Sequence, residues 1–183
     1  MTTIVGLSGS LRAGSLNTAL LRAAVEHMPP GSTLDVASIK GIPLYDGDVE
    51  ASSGIPAVVD DLKSRIVAGD GLLLVTPEYN NSIPGVFKNA IDWLSRPPAD
   101  SARVFRGRAV AVMGASPNPF GTLLSQTAWL PVLKTLGTRA FFGARLQVSR
   151  AGDVFDEDGK LVDDRVREQL QKFLNGFVEF VAE

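Results

Sequence analysis

Five zones of nearly unbroken apolar, partly β-branched sequence alternate along the chain with segments of helical periodicity, and this alternation constrains the fold more than any other feature. They are Thr3 to Leu7, STLDVASI from Ser32, GLLLVT from Gly71, RAVAVMGAS from Arg108, and a short strand around Arg139 to Phe142 with a further extended piece at Arg145 to Val148. A strand that is hydrophobic along its whole length leaves no face for water, so it must sit in a parallel sheet covered on both sides by crossover helices. The helical segments fit that scheme. Leu16, Leu20, Leu21, Ala24 and Val25 share a stripe in the first, and Val58, Leu62 and Ile66 share one between Ala57 and Ala68. PGVFKNAIDWLSRP opens on Pro84, where a first-turn proline is favoured, and GTLLSQTAWLPVLKTLG carries Pro131 at a kinking position. A last helix is predicted from about Asp163 to the end, and KGIPLYDGDVEASSGIP, before Ala57, reads as a long loop. The expectation is one doubly wound α/β domain over residues 1–183, with no repeat or linker.

Charge and cysteine content then exclude whole classes of function. Lys+Arg 18 against Asp+Glu 20 gives a net charge of -2, so no broad basic field draws in a nucleic acid. With no cysteine in the 183 residues there is no disulfide framework, thiolate nucleophile or cysteine-ligated metal, and redox chemistry must come from a cofactor. MTTIVGLSGSLRAGS lacks the basic and long apolar regions of a signal peptide, and no apolar run is long enough to span a bilayer, so a cytoplasmic protein without membrane partners is expected.

In open α/β sheets ligands bind beyond the carboxyl ends of the strands, and three loops at that edge have unusual chemistry. SGSLRAGSLN places Ser8, Ser10, Ser15, Asn17 and the forked cation of Arg12 among Gly9 and Gly14, between a strand and a helix N-terminus. Free N–H groups and the helix dipole there favour a phosphate, although an ordinary N-capped loop explains the same residues less economically. It is neither a P-loop nor a G-x-G-x-x-G turn, because the glycine spacing fits neither. The second loop leaves its strand through Thr76 and Pro77 and offers Glu78, Tyr79, Asn80, Asn81 and Ser82, a wall suited to a flat heteroaromatic ligand. The third, GASPNPFGT from Gly114, is preshaped by two prolines and two glycines and stands where it can meet the far edge of that ligand.

Other chemistry-bearing residues read more plainly. His27, the only histidine, sits at the predicted end of the first helix, where the dipole favours it and where no strand-end loop reaches to complete a Ser-His-Asp triad. Asp153, Asp156, Glu157 and Asp158 lack calcium-loop spacing and read as a solvated turn, and Asp46 and Asp48 likewise. Trp93 reads as a core or subunit-contact residue, while Tyr45 and Phe120 are candidates for the substrate side of the site.

GSLRAGSLN, TPEYNNSIPGVFKNAIDWLSR and GASPNPFGT together resemble the NADPH-dependent FMN reductase family, particularly its chromate and quinone reductase branch. The likeness extends to PLYDGDV and FDEDGKLVDD. It departs at Thr122, where that branch often has a second glycine, and at LLSQTAWLP, where a basic residue and a tyrosine are usual. The resemblance implies a flavodoxin-like fold with a five-stranded parallel sheet in the order 2-1-3-4-5. It implies FMN with Ser10, Arg12, Ser15, Leu16 and Asn17 around its phosphate, Pro77, Glu78, Tyr79 and Asn80 beside the isoalloxazine ring, and Ser116 and its neighbours near the pyrimidine edge. It also implies a homodimer or homotetramer with the flavin near a subunit interface. NADPH or NADH would supply hydride, and a quinone or similar small molecule (chromate, an azo compound, free flavin) would receive it, with no catalytic side chain required because the flavin carries the chemistry. The competing readings are a flavodoxin-type electron carrier and a flavin-binding protein without turnover. A net charge of -2 suits the enzyme better than a carrier that docks through a strongly acidic face.

Overall fold

The computed structural model describes residues 1–183. In chain order the elements are β1 (Thr2–Ser8), α1 (Leu16–Glu26), β2 (Ser32–Ala37), α2 (Gly47–Ser53), α3 (Ala57–Ala68), β3 (Gly71–Val75), α4 (Gly85–Leu94), α5 (Pro98–Phe105), β4 (Ala109–Ala115), α6 (Leu123–Thr135), β5 (Arg139–Ala140), β6 (Gln147–Val148) and α7 (Asp164–Ala182). The sheet is parallel with the order β2-β1-β3-β4-β5. The chain first moves outward from β1 to β2 and then crosses back to β3, which makes the β1/β3 boundary the topological switch point.

The sheet separates two apolar layers. Along β3, Leu73 and Val75 face α1 and α7, whereas Leu72 and Leu74 face α3, α4 and α6. In β1, Ile4 joins the first layer and Val5 and Leu7 the second. Every residue of β3 is buried, which is why the strand shows no polar alternation. The first layer is closed by Leu20, Leu170, Phe173 and Phe177, the second by Phe87, Trp93, Trp129 and Ile66, all buried. At about 1.5–3 kcal/mol for each fully buried large side chain, these layers outweigh exposed ion pairs such as Lys88–Asp92, which contribute roughly 0–1 kcal/mol.

Several details differ from the sequence expectation. Two helices were not predicted: α2, which buries no residue and so carries no apolar stripe, and α5, which starts within the Pro97-Pro98 pair, with Pro97 as its N-cap and Pro98 as its first residue. The fifth strand position is filled in two pieces. β5 pairs with the start of β4 and β6 with its end, through Gly114↔Gln147 and Ala115↔Val148, while residues 141–146 make an excursion between them. α6 runs through Pro131 without ending there. His27 is the C-cap residue of α1, and Asp46 caps α2 by accepting from the Asp48 N–H. The acidic segment is a turn in which Asp156 Oδ1 accepts from the N–H groups of Asp158 and Lys160. No helix is long and apolar enough to cross a membrane.

Register brings the three loops to one edge of the sheet. Ser8 aligns with Val75 and Val75 with Met113, so the chain leaves β1 and β3 at the same level and β4 two residues further on, at Ala115. The ladder continues past the strands, with Gly9 N–H donating to the Val75 carbonyl at 2.9 Å and Thr76 N–H to the Met113 carbonyl at 2.8 Å.

Candidate functional site

The first loop starts against aromatic packing. A Cβ on Gly9 would lie 2.2 Å from the ring of Phe87, so only glycine lets the backbone pass there. Ser15 is the N-cap of α1, its Oγ accepting from Thr18 N–H at 3.2 Å. The N–H groups of Leu16 and Asn17 have no protein acceptor, which leaves two donors and the positive helix end aimed out of the first turn. Arg12 is exposed and belongs to no ion pair. The Asn17 side chain is spent elsewhere: it donates to the Ala115 carbonyl and accepts from the Ala115 N–H, both at 2.9 Å. What Asn17 offers an anion is therefore its backbone.

The second loop is a rigid exit followed by a tight hairpin. Thr76 is fully buried, and its Oγ1 shares a hydrogen with Ser125 Oγ at 2.9 Å and accepts from Trp129 Nε1 at 3.1 Å. Tyr79 and Ser82 pair through two backbone hydrogen bonds of 3.1 and 3.0 Å, with Asn80 and Asn81 between them at φ 49° and 59°. Positive φ at both central residues marks a type I′ turn, and asparagine tolerates that region better than most residues. Glu78 points toward α6 and accepts at Oε2 from the N–H groups of Leu124 (2.8 Å) and Ser125 (3.1 Å).

The third loop is held from both sides. Ser116 N–H donates to the Val148 carbonyl at 2.9 Å, and Asn118 N–H to Ser116 Oγ at 3.3 Å. A Cβ on Gly114 would stand 2.2 Å from the Thr76 carbonyl and 2.3 Å from Thr122 Oγ1, so the second and third loops approach closely only because residue 114 lacks one.

Between the loops lies a cavity of about 320 Å³, at the lower end of the size usual for small-molecule sites. Of the residues expected around a cofactor, Ser10, Arg12, Ser15, Leu16, Asn17, Pro77, Glu78, Tyr79 and Ser116 line it. Asn80 does not, because it occupies the tip of the hairpin. Ala115, Pro117 and Asn118, the neighbours of Ser116 in GASPNPFGT, also line it. At one end hydroxyls, backbone N–H groups and a guanidinium converge without any carboxylate. At the other, Pro77, Tyr79 and Pro117 present flat apolar surface beside Ser116 and Asn118. Glu78 is the one carboxylate of the lining; its Oε2 is taken up by α6, and its Oε1 accepts from Asn118 Nδ2 at 3.5 Å. A phosphate joined to a planar heterocycle with polar edges fits this donor set.

A larger cavity of about 860 Å³ lies between the 141–144 excursion and α7. It is lined by Glu168, Glu179 and Glu183 against a single lysine, Lys172, and stands beside the edge strand rather than at the strand ends. Neither feature suits a phosphorylated cofactor.

Tyr45 and Phe120 fall outside the small cavity. Tyr45 is fastened to α4: its N–H donates to Asn89 Oδ1 at 2.8 Å, and its ring meets Trp93 edge-on at 5.0 Å. Trp93 is buried, and its Nε1 donates to the Pro43 carbonyl at 2.9 Å, which places it in the core. The Tyr45 hydroxyl donates to Glu50, which raises the phenol pKa, and Arg96 on the same carboxylate lowers that of Glu50. Phe120 is 70% exposed.

Residues 2–153 match the family model described as NADPH-dependent FMN reductase. The chain is 44% identical over 171 residues to an NAD(P)H-dependent FMN reductase of Pseudomonas aeruginosa, covering 93% of this chain and 90% of that protein. It is 35% identical over 175 residues to a 2-hydroxy-1,4-benzoquinone reductase of a Burkholderia species, covering 96% and 93%. Among solved structures, the flavoenzyme NAD(P)H:(acceptor) oxidoreductase FerB of Paracoccus denitrificans matches with a TM-score of 0.88 and 32% identity, over 100% of this chain and 98% of that one.

Proposed function

The chain belongs to the NADPH-dependent FMN reductase family, and from that premise we propose that it passes hydride from NAD(P)H through FMN, held in the three-loop cleft, to quinones or similar acceptors. The observation that carries the reading is the convergence of nine expected residues, drawn from three loops far apart in sequence, on one cavity of suitable chemistry. The relatives named for FMN and benzoquinone reduction support the substrate classes.

Within this reading the anion end holds the cofactor phosphate: the N–H groups of Leu16 and Asn17 and the hydroxyls of Ser10 and Ser15 donate to it, and Arg12 closes over it. The backbone from Pro77 to Tyr79 runs beside the ring, and Ser116 and Asn118 offer hydrogen bonds to its edge. The bound FMN supplies the hydride-accepting and hydride-donating chemistry. The protein's part is to fix the ring's position, to keep water from one face behind Pro77 and Pro117, and to leave the other open to donor and acceptor in turn. Asn80 supports this wall as the turn residue that lets the hairpin close. Residues 1–183 then act as one FMN-binding domain, in the cytoplasm, as a homodimer or homotetramer, with small molecules rather than nucleic acid or membrane as partners.

Because one cleft serves both partners, steady-state rates with varied NADPH and varied benzoquinone should give parallel double-reciprocal lines. Intersecting lines contradict a shared site, and no turnover with either NADH or NADPH removes the enzyme reading in favour of an electron carrier or a passive flavin protein.

A further inference from the structure

We infer that Glu78 is a positioning residue: its carboxylate clamps the β3 loop to the first turn of α6 and sets the charge at the ring end of the cleft. This rests on the FMN reading above for its second half, while the clamp stands on geometry alone.

A helix leaves its first N–H groups without intrahelical acceptors, and a side chain at the N-cap position commonly satisfies one. In α6 that position is Thr122, which provides no cap. Its Oγ1 instead accepts from Gln126 Nε2 at 3.0 Å and faces Gly114. The cap comes from 46 residues earlier: Glu78 Oε2 takes the N–H groups of Leu124 and Ser125 at 2.8 and 3.1 Å. Immediately beneath, Thr76 bonds Ser125 and Trp129 in the buried layer. The β3 loop is thereby fastened to α6 at consecutive points, and the 116–122 loop is strung between the end of β4 and a helix start that cannot drift. Two walls of the cleft move as one.

The same contact is electrostatic. The positive end of the α6 dipole lies against Glu78, a lining residue of the cleft, whose charge compensates it. Glu78→Gln keeps the size and one acceptor oxygen but removes the charge, so the uncompensated helix end favours the more negative, reduced cofactor. Glu78→Ala removes cap and charge together.

Three measurements on the purified holoprotein and its FMN-free form test this: flavin affinity by fluorescence titration, midpoint potential by reductive titration against reference dyes, and amide hydrogen exchange at Leu124 and Ser125. Glu78→Gln is expected to hold FMN within about twofold of wild type and to shift the midpoint potential to a more positive value. Glu78→Ala is expected to lose roughly tenfold in FMN affinity and to exchange both amides faster. An unchanged potential in Glu78→Gln overturns the electrostatic half, and unchanged exchange in Glu78→Ala overturns the clamp. Should Glu78→Ala fail to fold, Glu78→Gln decides through the potential and through exchange at the same amides, which weaken with the loss of a charged acceptor. A wild-type chain that binds no FMN removes the reading beneath the electrostatic half and with it that half, while exchange in the FMN-free chain still decides the clamp.

Discussion

Asn17 reaches from the first turn of α1 to the end of β4 and pairs its carboxamide with both backbone groups of Ala115, each at 2.9 Å. Both residues are buried, at 4% and 2% exposure, so the pair extends the sheet sideways with a side chain and fixes the first loop to the third loop. Replacing Asn17 by alanine leaves the Ala115 N–H and carbonyl unpaired, at about 1–3 kcal/mol for each buried group. A loss of about 2–6 kcal/mol in urea unfolding is expected. Asn17→Asp should be worse, because a carboxylate oxygen then faces the Ala115 carbonyl, and an Asp variant as stable as wild type would contradict this account.

Arg12 makes no ion pair and lines the anion end of the cleft. Arg12→Ala should leave the melting temperature of the FMN-free chain unchanged and weaken FMN by about 1.5–3 kcal/mol, the worth of a charge-assisted hydrogen bond. Fluorescence titration with FMN and with riboflavin separates the cause. The loss should appear with FMN and vanish with riboflavin, which has no phosphate.

Gly114 marks a close approach between the second and third loops. An added methyl would meet the Thr76 carbonyl at 2.2 Å, a backbone atom that cannot swing aside. Gly114→Ala should cost about 3 kcal/mol or more, at the upper end of overpacking penalties. Gly85→Ala, at the start of α4 with nothing within 4 Å of the new Cβ, should be neutral or stabilising by up to about 1 kcal/mol. Thermal melts of the two variants check the contrast.

Acid should weaken the α3–α5 contact. Lys63 is wholly buried and bonds Asp100 Oδ2 at 3.1 Å, with Asp60 and the Arg96 carbonyl around the same ammonium. Lys63, helped by Arg103, holds the Asp100 carboxyl below its ordinary value of 3.8. A depressed folded pKa means that the unfolded chain takes up the proton first. The stabilisation is therefore complete above that ordinary value and is lost as the pH falls through the lower folded one. Asp100→Asn should reduce stability at neutral pH and flatten the acid limb of a stability–pH curve. An acid limb identical to wild type would show that Asp100 is not the responsible group.

The strands were legible because they are buried on both faces: Leu72, Leu73 and Leu74 must be apolar whichever layer they meet. α2 was not, since a helix that buries nothing leaves no periodic trace, and its evidence is only the Asp46 cap. The loops were legible as a candidate site because glycine, proline and short polar residues clustered at three strand ends. Individual roles were harder to read. Asn80 and Asn81 look like ligand donors until the Tyr79–Ser82 pairing shows them to be the two left-handed positions of a turn. Glu78 lines the cavity as expected, but its second contact, with the first turn of α6 across 46 residues, leaves no local trace in the sequence. The Asn17–Ala115 pair, across 98 residues, has no local signature at all.

The most direct test of the account is to mix the FMN-loaded protein anaerobically with a stoichiometric amount of NADPH, follow the flavin's visible absorption in a stopped-flow instrument, and then add benzoquinone. The account predicts rapid bleaching by NADPH and full recovery of the oxidised spectrum on adding the quinone. A flavin that stays oxidised in the presence of NADPH, or one that bleaches and is not reoxidised by the quinone, would contradict it.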